Sequence, residues 1–266
     1  MLKCPELEEF VVKDLFNSGG LEFITLNGAL SLNPINQYEA VLADNLLVLT
    51  QTCKVNKSYY PSIQLMNICP DLARILRYNN KFLKIKVCNL VGQMCKHSDF
   101  FYEDLEKAGV FPEMIKLCED SDPIIKKASS FAIGNAAYYS DYLYPTLRDA
   151  IPPIVKLLKN EDERIKTNSI GTISNLTRNS NILADDIIEN DVPEIFVYIL
   201  LSDPSVSVKK LIIHAFRNFF KHDKINRELS KCFTEDRKLL LEKLPEKPKY
   251  ASLSKHVMAI QKHLFK

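Results

Sequence analysis

An all-helical repeat fold is predicted by three sets of residues that recur about every 42 positions along the 266-residue chain. The first set consists of side-chain amides: Gln51, Gln93, Asn135, Asn175, Asn218 and Gln261. A buried amide without a partner costs roughly 1–3 kcal/mol. Asn135 lies inside the apolar stretch "FAIGNAA", so we expect its amide to have a hydrogen-bond partner. Because the amide recurs, we expect the same role in every copy. A period of this length is typical of helical repeat proteins.

The second and third sets are lysines and prolines in register with the amides. Each lysine stands nine residues before its amide and follows an aliphatic residue: Lys84, Lys126, Lys166 and Lys209. Each proline leads into an apolar helical pattern: Pro70, Pro112, Pro152 and Pro193. Proline is tolerated at the first helical position because its missing N–H would be unpaired there anyway. We therefore expect each proline to mark the start of a helix.

The repeat unit is best formed between residues 99 and 138. A short helix is predicted over about 99–107, with Gly109 in the left-handed conformation that commonly ends helices. A second helix is predicted over about 112–119, and Asp122 is predicted to cap a third over about 124–138, which carries the amide. Three helices in about 42 residues is the armadillo design. The predicted fold is therefore all-α, an armadillo-type right-handed superhelical solenoid of about six three-helix repeats.

The chain is predicted to form a single armadillo-repeat domain over 1–266. Its amino-terminal part, 1–60, fits one degenerate repeat, and the best-formed repeats cover 61–232. Residues 233–266 are predicted to form capping helices, since terminal repeats have one face in water.

Composition and cysteine usage narrow the class of protein. Lys and Arg number 35 against 33 Asp and Glu, a net charge of +2, which argues against nucleic acid as a partner. The longest apolar run, Ile195 to Leu201, is far short of the ~20 residues needed to span a bilayer. No signal peptide is expected.

The chain contains seven cysteines: Cys4, Cys53, Cys69, Cys88, Cys95, Cys118 and Cys232. They form no CxxC pair, and we therefore expect them to be reduced thiols in the core of a cytoplasmic protein.

Catalytic and cofactor motifs are missing from the sequence. The seven glycines form neither a GxGxxG motif nor a P-loop, and no kinase signature is present. His256 and His263 share a helix face, but no carboxylate or cysteine completes a metal site. We therefore expect no enzyme activity, no cofactor and no metal.

The stretch "SSFAIGNAAYYSDYLYPTLRDAIPPIVKLLKNEDERIKTNSIGTISNL" resembles the C-terminal armadillo region of Fused-type serine/threonine kinases. The pattern "FAIGNAAY" falls on 131–138, a Leu-x-Pro element on 143–145, a proline-led helix on 152–158, and the second asparagine on Asn175. The resemblance implies a partner-binding region of a kinase that acts in Hedgehog signalling in some animals and in assembly of the ciliary central pair. It adds a cilium or flagellum to the expected cytoplasmic location. The kinase domain that normally precedes such a region is not in this sequence.

The amides and lysines have two interpretations each. The amides could hold an extended ligand by its backbone, at one contact for every third ligand residue, or satisfy backbone groups of the adjoining repeat. The lysines could favour an acidic segment or be merely solvated. Importin-type adaptors carry tryptophan four residues before the asparagine to sandwich lysines. This chain has no tryptophan; the corresponding residues are Leu47, Asn89, Phe131, Gly171, His214 and Val257.

Two functions are therefore considered. The first is a non-catalytic scaffold, the armadillo region of a Fused-like kinase, which binds a protein partner through its concave face. The alternative is a stand-alone armadillo adaptor that binds extended linear peptide motifs. The sequence does not indicate an oligomeric state.

Overall fold

The computed structural model describes residues 5–20, 28 and 30–264, and every regular element in these residues is helical. The chain divides into two compact units, residues 1–139 and 140–266, and each is described by itself. The first unit contains α1 Pro5–Asn17, α2 Ile35–Val55, α3 Tyr60–Leu65, α4 Cys69–Arg77, α5 Lys81–Met94, α6 Tyr102–Lys107, α7 Val110–Leu117 and α8 Pro123–Ala136. The second contains α9 Tyr144–Leu147, α10 Ile151–Leu157, α11 Glu163–Leu176, α12 Ala184–Glu189, α13 Val192–Ser202, α14 Val206–Phe219, α15 Asp223–Cys232, α16 Glu235–Lys243 and α17 Ser254–Leu264.

Three-helix repeats are the building block of both units, as predicted. In each repeat a short first helix and a second helix lead to a longer third helix, and α5, α8, α11 and α14 are each 14 residues long. In the first unit α5 packs against both α2 and α8, and in the second unit α11 packs against α14. Third helices are thus stacked on third helices within each unit.

Each of the four 14-residue third helices begins at a side-chain cap thirteen residues before its amide. The capping residues are Asn80, Asp122, Asp162 and Ser205. They accept hydrogen bonds from backbone N–H groups of the first turn, which have no partner inside the helix. The sequence analysis identified only Asp122. The same spacing in all four copies fixes where the amide lies along its helix.

The core is formed by apolar residues at fixed positions of the repeat. The residue two positions before the amide is fully buried in four successive copies: Val91, Ile133, Ile173 and Phe216. Burial of such a side chain contributes about 1.5–3 kcal/mol. Gly92 lies where α5 and α8 approach closely, and a Cβ there would be 2.8 Å from the Phe131 ring. This contact requires a residue without a side chain.

The predicted helix bounds are correct to within three residues, and the prolines are shifted. Gly109 has the expected positive φ of 70°, and α7 begins directly after it, so that Pro112 is the third residue of its helix. Pro70 and Pro193 are the second residues of α4 and α13. All of these prolines lie in the first turn, where backbone N–H groups have no helical partner, so they mark the starts of their helices as predicted.

The ends of the chain carry the predicted capping elements only in part. α16 and α17 lie within 233–266 and are joined by 3₁₀ turns at Leu244–Glu246 and Pro248–Leu253. Residues 265 and 266 are outside the described residues, as are Cys4 and part of the predicted degenerate repeat.

Candidate partner-binding face

The amides of two third helices bind the backbone of the preceding third helix. Nδ2 of Asn135 donates to the carbonyl of Gly92 at 2.8 Å. Nδ2 of Asn218 donates to the carbonyl of Ser174 at 2.8 Å and to its Oγ at 3.1 Å. In both cases the acceptor directly precedes the amide residue of the neighbouring helix. The N–H groups of these two amides are therefore used in holding third helices together.

The same two amides differ in exposure. Asn218 is 5% exposed, whereas Asn135 is half-buried. No described residue donates to Oδ1 of Asn135, so that oxygen is free to accept a hydrogen bond from a ligand. Asn218 has no such freedom because Lys221 donates to its Oδ1 at 3.1 Å.

The other predicted amides are half-buried. Oε1 of Gln51 and Oε1 of Gln93 are themselves buried and accept no hydrogen bond from the described residues. Asn175 and Gln261 are also half-buried. The six amides thus occupy corresponding places on third helices, but they do not form one uniformly accessible row.

Three tyrosines add a feature that the sequence analysis missed. Tyr60, Tyr102 and Tyr144 are 42 residues apart and begin the first helices of their repeats. Their hydroxyls donate to the carbonyls of Gln93, Asn135 and Asn175, respectively. The hydroxyls of Tyr102 and Tyr144 also accept from the backbone N–H four residues after the amide, in Tyr139 and Asn179. The period of 42 residues could have revealed this set.

The lysine row divides into exposed and internally bound members. Lys84 and Lys126 are half-buried and form no ion pair with a described residue. Lys166 pairs with Asp203 at 2.6 Å. Burial alone would raise the pKa of Asp203, but hydrogen bonds from Lys166 and the backbone N–H of Ser205 outweigh it, and the pKa lies below its ordinary value.

Lys209 is not available at the surface. It is 1% exposed, its Nζ donates to the carbonyl of Leu200, and the ammonium lies 5.1 Å from the ring centre of Tyr250. Burial lowers the pKa of Lys209 to about 8, although Asp203 opposes this shift. A partner can therefore reach the lysine row only at Lys84 and Lys126 without displacing internal contacts.

Basic residues dominate the third helices as a group. The six helices that carry the amides, α2, α5, α8, α11, α14 and α17, contain three acidic residues: Glu39 and Asp44 in α2 and Glu163 at the start of α11. They contain thirteen basic residues: Lys54, Lys81, Lys84, Lys86, Lys126, Lys127, Arg164, Lys166, Lys209, Lys210, Arg217, Lys255 and Lys262. The chain as a whole is nearly balanced, at 35 basic and 33 acidic residues. The acidic residues are therefore concentrated in the other segments, such as the first helices α6 and α12.

The positions that carry tryptophan in importin-type adaptors are occupied here by residues of other types. Phe131 packs against Gly92, and His214 is exposed. Burial lowers the pKa of His214, and the nearby Arg217, Arg178 and Lys221 lower it further. His214 thus lies in a locally positive environment.

The described residues offer neither a metal site nor a membrane span. No group of three His, Cys, Asp or Glu side chains within the described residues could hold a metal ion. No helix within residues 5–20 or 30–264 is both long and apolar enough to cross a bilayer.

Comparison with known proteins identifies the fold. The family model for the Armadillo/beta-catenin-like repeat matches residues 145–178, which include α10 and α11. A designed armadillo repeat protein, YIII(Dq)4CqI, is 21% identical over 89% of this chain and 97% of its own, with a TM-score of 0.76. A second designed armadillo repeat protein, solved in complex with the peptide (KR)4, is 20% identical over 89% of this chain and 96% of its own, with a TM-score of 0.78.

A third similar structure comes from computationally designed armadillo repeat proteins for modular peptide recognition. It is 20% identical over 88% of this chain and 96% of its own, with a TM-score of 0.76. No curated protein sequence matches the chain. At about one-fifth identity these likenesses establish the fold, and the chain has the armadillo-repeat fold.

Proposed function

We propose that this chain is a non-catalytic interaction scaffold that binds an extended segment of a protein partner along its third helices. The observation that carries the proposal is the excess of basic over acidic residues, thirteen against three, on these helices in a chain of almost balanced charge. A packing role does not require this segregation, whereas a surface for an acidic segment does, because complementary charge increases association rate and specificity.

The exposed groups of the first unit suit this role. Lys84 and Lys126 provide cations without carboxylate partners, and Oδ1 of Asn135 provides an acceptor for a backbone N–H. Packed helices lie ~8–10 Å apart and an extended peptide rises ~3.3 Å per residue. Successive third helices of the unit would therefore meet about every third residue of the ligand.

Structures of the same fold support peptide binding as a class of function. One designed armadillo repeat protein is described in complex with (KR)4, a basic peptide. The third helices of this chain have the charge that would repel such a ligand. We therefore propose an acidic segment as the partner.

The test is selection from a phage library of random linear peptides, followed by affinity measurement with a selected peptide. We expect enrichment of acidic peptides. The double variant Lys84→Glu, Lys126→Glu should weaken binding at least about tenfold. The matched control is Lys107→Glu, Lys116→Glu, which makes the same charge change on first and second helices and should leave affinity nearly unchanged. Failure to enrich any peptide would contradict the proposed function.

The finer proposal is that the chain corresponds to the armadillo region of a Fused-type kinase, in the cytoplasm or a cilium. It rests on the resemblance of residues 129–176, and the alternative is a stand-alone adaptor. A kinase domain encoded upstream in the same reading frame would support the first. A stop codon directly upstream would favour the second. In either case we expect no ATP binding by this chain in calorimetry, and micromolar affinity would contradict the non-catalytic assignment.

A further inference from the structure

A pocket of about 510 Å³ lies between α14 and α17 in the second unit. One wall is formed by the end of α14 and the residues after it, and the other by α17. The lining residues are Ile213, Arg217, Phe220, Lys221, His256, Ala259, Ile260 and His263. The spacing within each wall is helical, so each set lies on one side of its segment. Both segments contribute, and the pocket exists only where they pack together.

The lining combines an apolar floor with a cationic rim. The side chains of Ile213 and Ile260 are buried. The rings of Phe220 and His263 stack with centroids 4.7 Å apart and planes 18° apart. Arg217 and Lys221 are exposed, and neither forms an ion pair with a described carboxylate. No acidic residue lines the pocket.

The charged side chains around the pocket are basic. His214 follows the lining residue Ile213, and the charges that act on it come from Arg217, Arg178 and Lys221. In addition, Nδ1 of His256 is buried without a hydrogen-bond partner among the described residues. A buried polar atom without a hydrogen-bond partner is unfavourable, and the exposed cations beside it are free to bind an anionic group.

We propose that this pocket binds a carboxylate side chain together with an adjacent apolar side chain of an acidic protein segment. This inference rests on the proposed function and names the chemistry of one anchor site. Arg217 and Lys221 bind the carboxylate, since a guanidinium can donate two parallel hydrogen bonds to it. The apolar side chain covers Phe220, Ile213 and Ile260. Complementary charge selects an acidic segment over a basic one.

The structural alternative is that Arg217 and Lys221 only stabilise the carboxyl end of α14. Cations near a helix C-terminus interact favourably with its dipole, and Lys221 also donates to Asn218 and, at 3.4 Å, to the carbonyl of Arg178. The two interpretations predict different results on mutation. An anchor site affects affinity, and a helix-terminal role affects stability.

The experiment uses the full chain and fluorescein-labelled peptides of alternating Glu and Leu, (EL)4, with (QL)4 and (KL)4 as probes of matched length. We expect (EL)4 to bind at least about tenfold tighter than (QL)4 by fluorescence anisotropy, and (KL)4 to bind weakest. The double variant Arg217→Glu, Lys221→Glu should reduce (EL)4 affinity at least about tenfold. Arg217→Glu alone should reduce it severalfold without removing an internal hydrogen bond described for the chain.

A matched control is Lys231→Glu, Lys243→Glu, which changes the net charge equally at exposed positions away from the pocket. It should retain nearly all (EL)4 affinity, and thermal melting of each variant should show that the fold is kept. Equal loss in the control and pocket variants would overturn the inference by showing a nonspecific charge effect. Binding of a library-selected peptide that survives the pocket variant but not Lys84→Glu, Lys126→Glu would overturn the pocket and leave the proposed function standing.

Discussion

Equivalent positions of the repeat are half-buried on α8 in the first unit and buried on α14 in the second. Lys126 and Asn135 on α8 are both half-buried, and Oδ1 of Asn135 has no donor among the described residues. Lys209 and Asn218 on α14 occupy the same places in the sequence repeat, but they are 1% and 5% exposed. The position of a residue in the sequence repeat thus determines where its side chain lies along the helix. The segment that packs against the helix determines whether that side chain is accessible to a partner.

The buried cysteines make the opposite contrast between the units. Five buried thiols lie in the first unit: Cys53, Cys69, Cys88, Cys95 and Cys118. Burial raises the pKa of Cys53 and of Cys69 to about 12, and the pKa of Cys118 to about 11 despite a hydrogen bond with Ser129. The second unit instead buries the ammonium of Lys209 and has one half-buried thiol, Cys232, whose pKa burial raises to about 11. High pH should therefore destabilise the first unit more than the second.

The largest expected effect is a loss of stability of the first unit above about pH 9. A thiol with a raised folded-state pKa favours folding below its unfolded pKa, and this contribution is lost as pH rises toward the folded pKa. Each buried thiol then costs about 1.4 kcal/mol per pH unit. Lys209 has the opposite sign, since its lowered pKa makes its contribution more favourable between about pH 8 and 10.4.

Hydrogen exchange measured at pH 8 and pH 10, and corrected for the intrinsic pH dependence, separates the units. We expect protection of α5 to fall more than protection of α14. A variant with Cys88→Ala should show a shallower decline for α5. Equal declines in both helices would contradict the assignment of the thiols as the dominant titrating groups.

The next effect concerns the two lysines. Lys209→Glu would place a carboxylate beside Asp203 and the carbonyl of Leu200, and we expect a loss of about 3–5 kcal/mol in the free energy of unfolding. Lys126→Glu should change it by less than about 0.5 kcal/mol. Urea denaturation of both variants measures the difference. Similar values for the two would show that the burial of Lys209 does not persist in solution.

Removal of a tyrosine hydroxyl should cause a smaller loss of stability, of equal size in the two units. Tyr102→Phe and Tyr144→Phe each remove a hydroxyl that bridges two backbone groups near the amide, and each should cost about 1 kcal/mol. Tyr78→Phe is the matched control, because its hydroxyl donates to the Glu39 carboxylate at 3.0 Å and bridges no backbone groups, so its loss should cost less. A loss for Tyr78→Phe as large as for Tyr102→Phe would remove the case for a structural tyrosine set.

Much of the fold was readable from the sequence because it depends on local chemistry. The cap at Asp122, the positive φ of Gly109 and the helical periodicity all act within a few residues, and the structure shows them where they were predicted. Tyr60, Tyr102 and Tyr144 were also readable, since they share the period of the amides. Their role was missed because a tyrosine in an apolar pattern is usually explained by packing.

The accessibility of the site could not be read in the same way. Lys209 is covered by the ring of Tyr250, 41 residues later in the 3₁₀ turn Pro248–Leu253. The cationic pocket depends on α17 packing against α14. Neither arrangement follows from the repeat, because the covering segments are the parts of the chain that depart from it.

The central proposal is that the α8 amide, whose N–H binds Gly92, offers its oxygen to a ligand, whereas the α14 amide uses both its N–H and its oxygen within the fold. Comparison of Asn135→Ala with Asn218→Ala tests this directly. Each variant is measured for free energy of unfolding and for affinity to a library-selected acidic peptide. Asn218→Ala should lose about 1–3 kcal/mol of stability, because it strands the buried groups of Ser174. Asn135→Ala also removes the hydrogen bond to the Gly92 carbonyl, but at a half-buried position where water can replace it, so it should lose about 1 kcal/mol of stability and about tenfold in affinity. An Asn135→Ala protein that unfolds as readily as Asn218→Ala and binds the peptide normally would contradict the account.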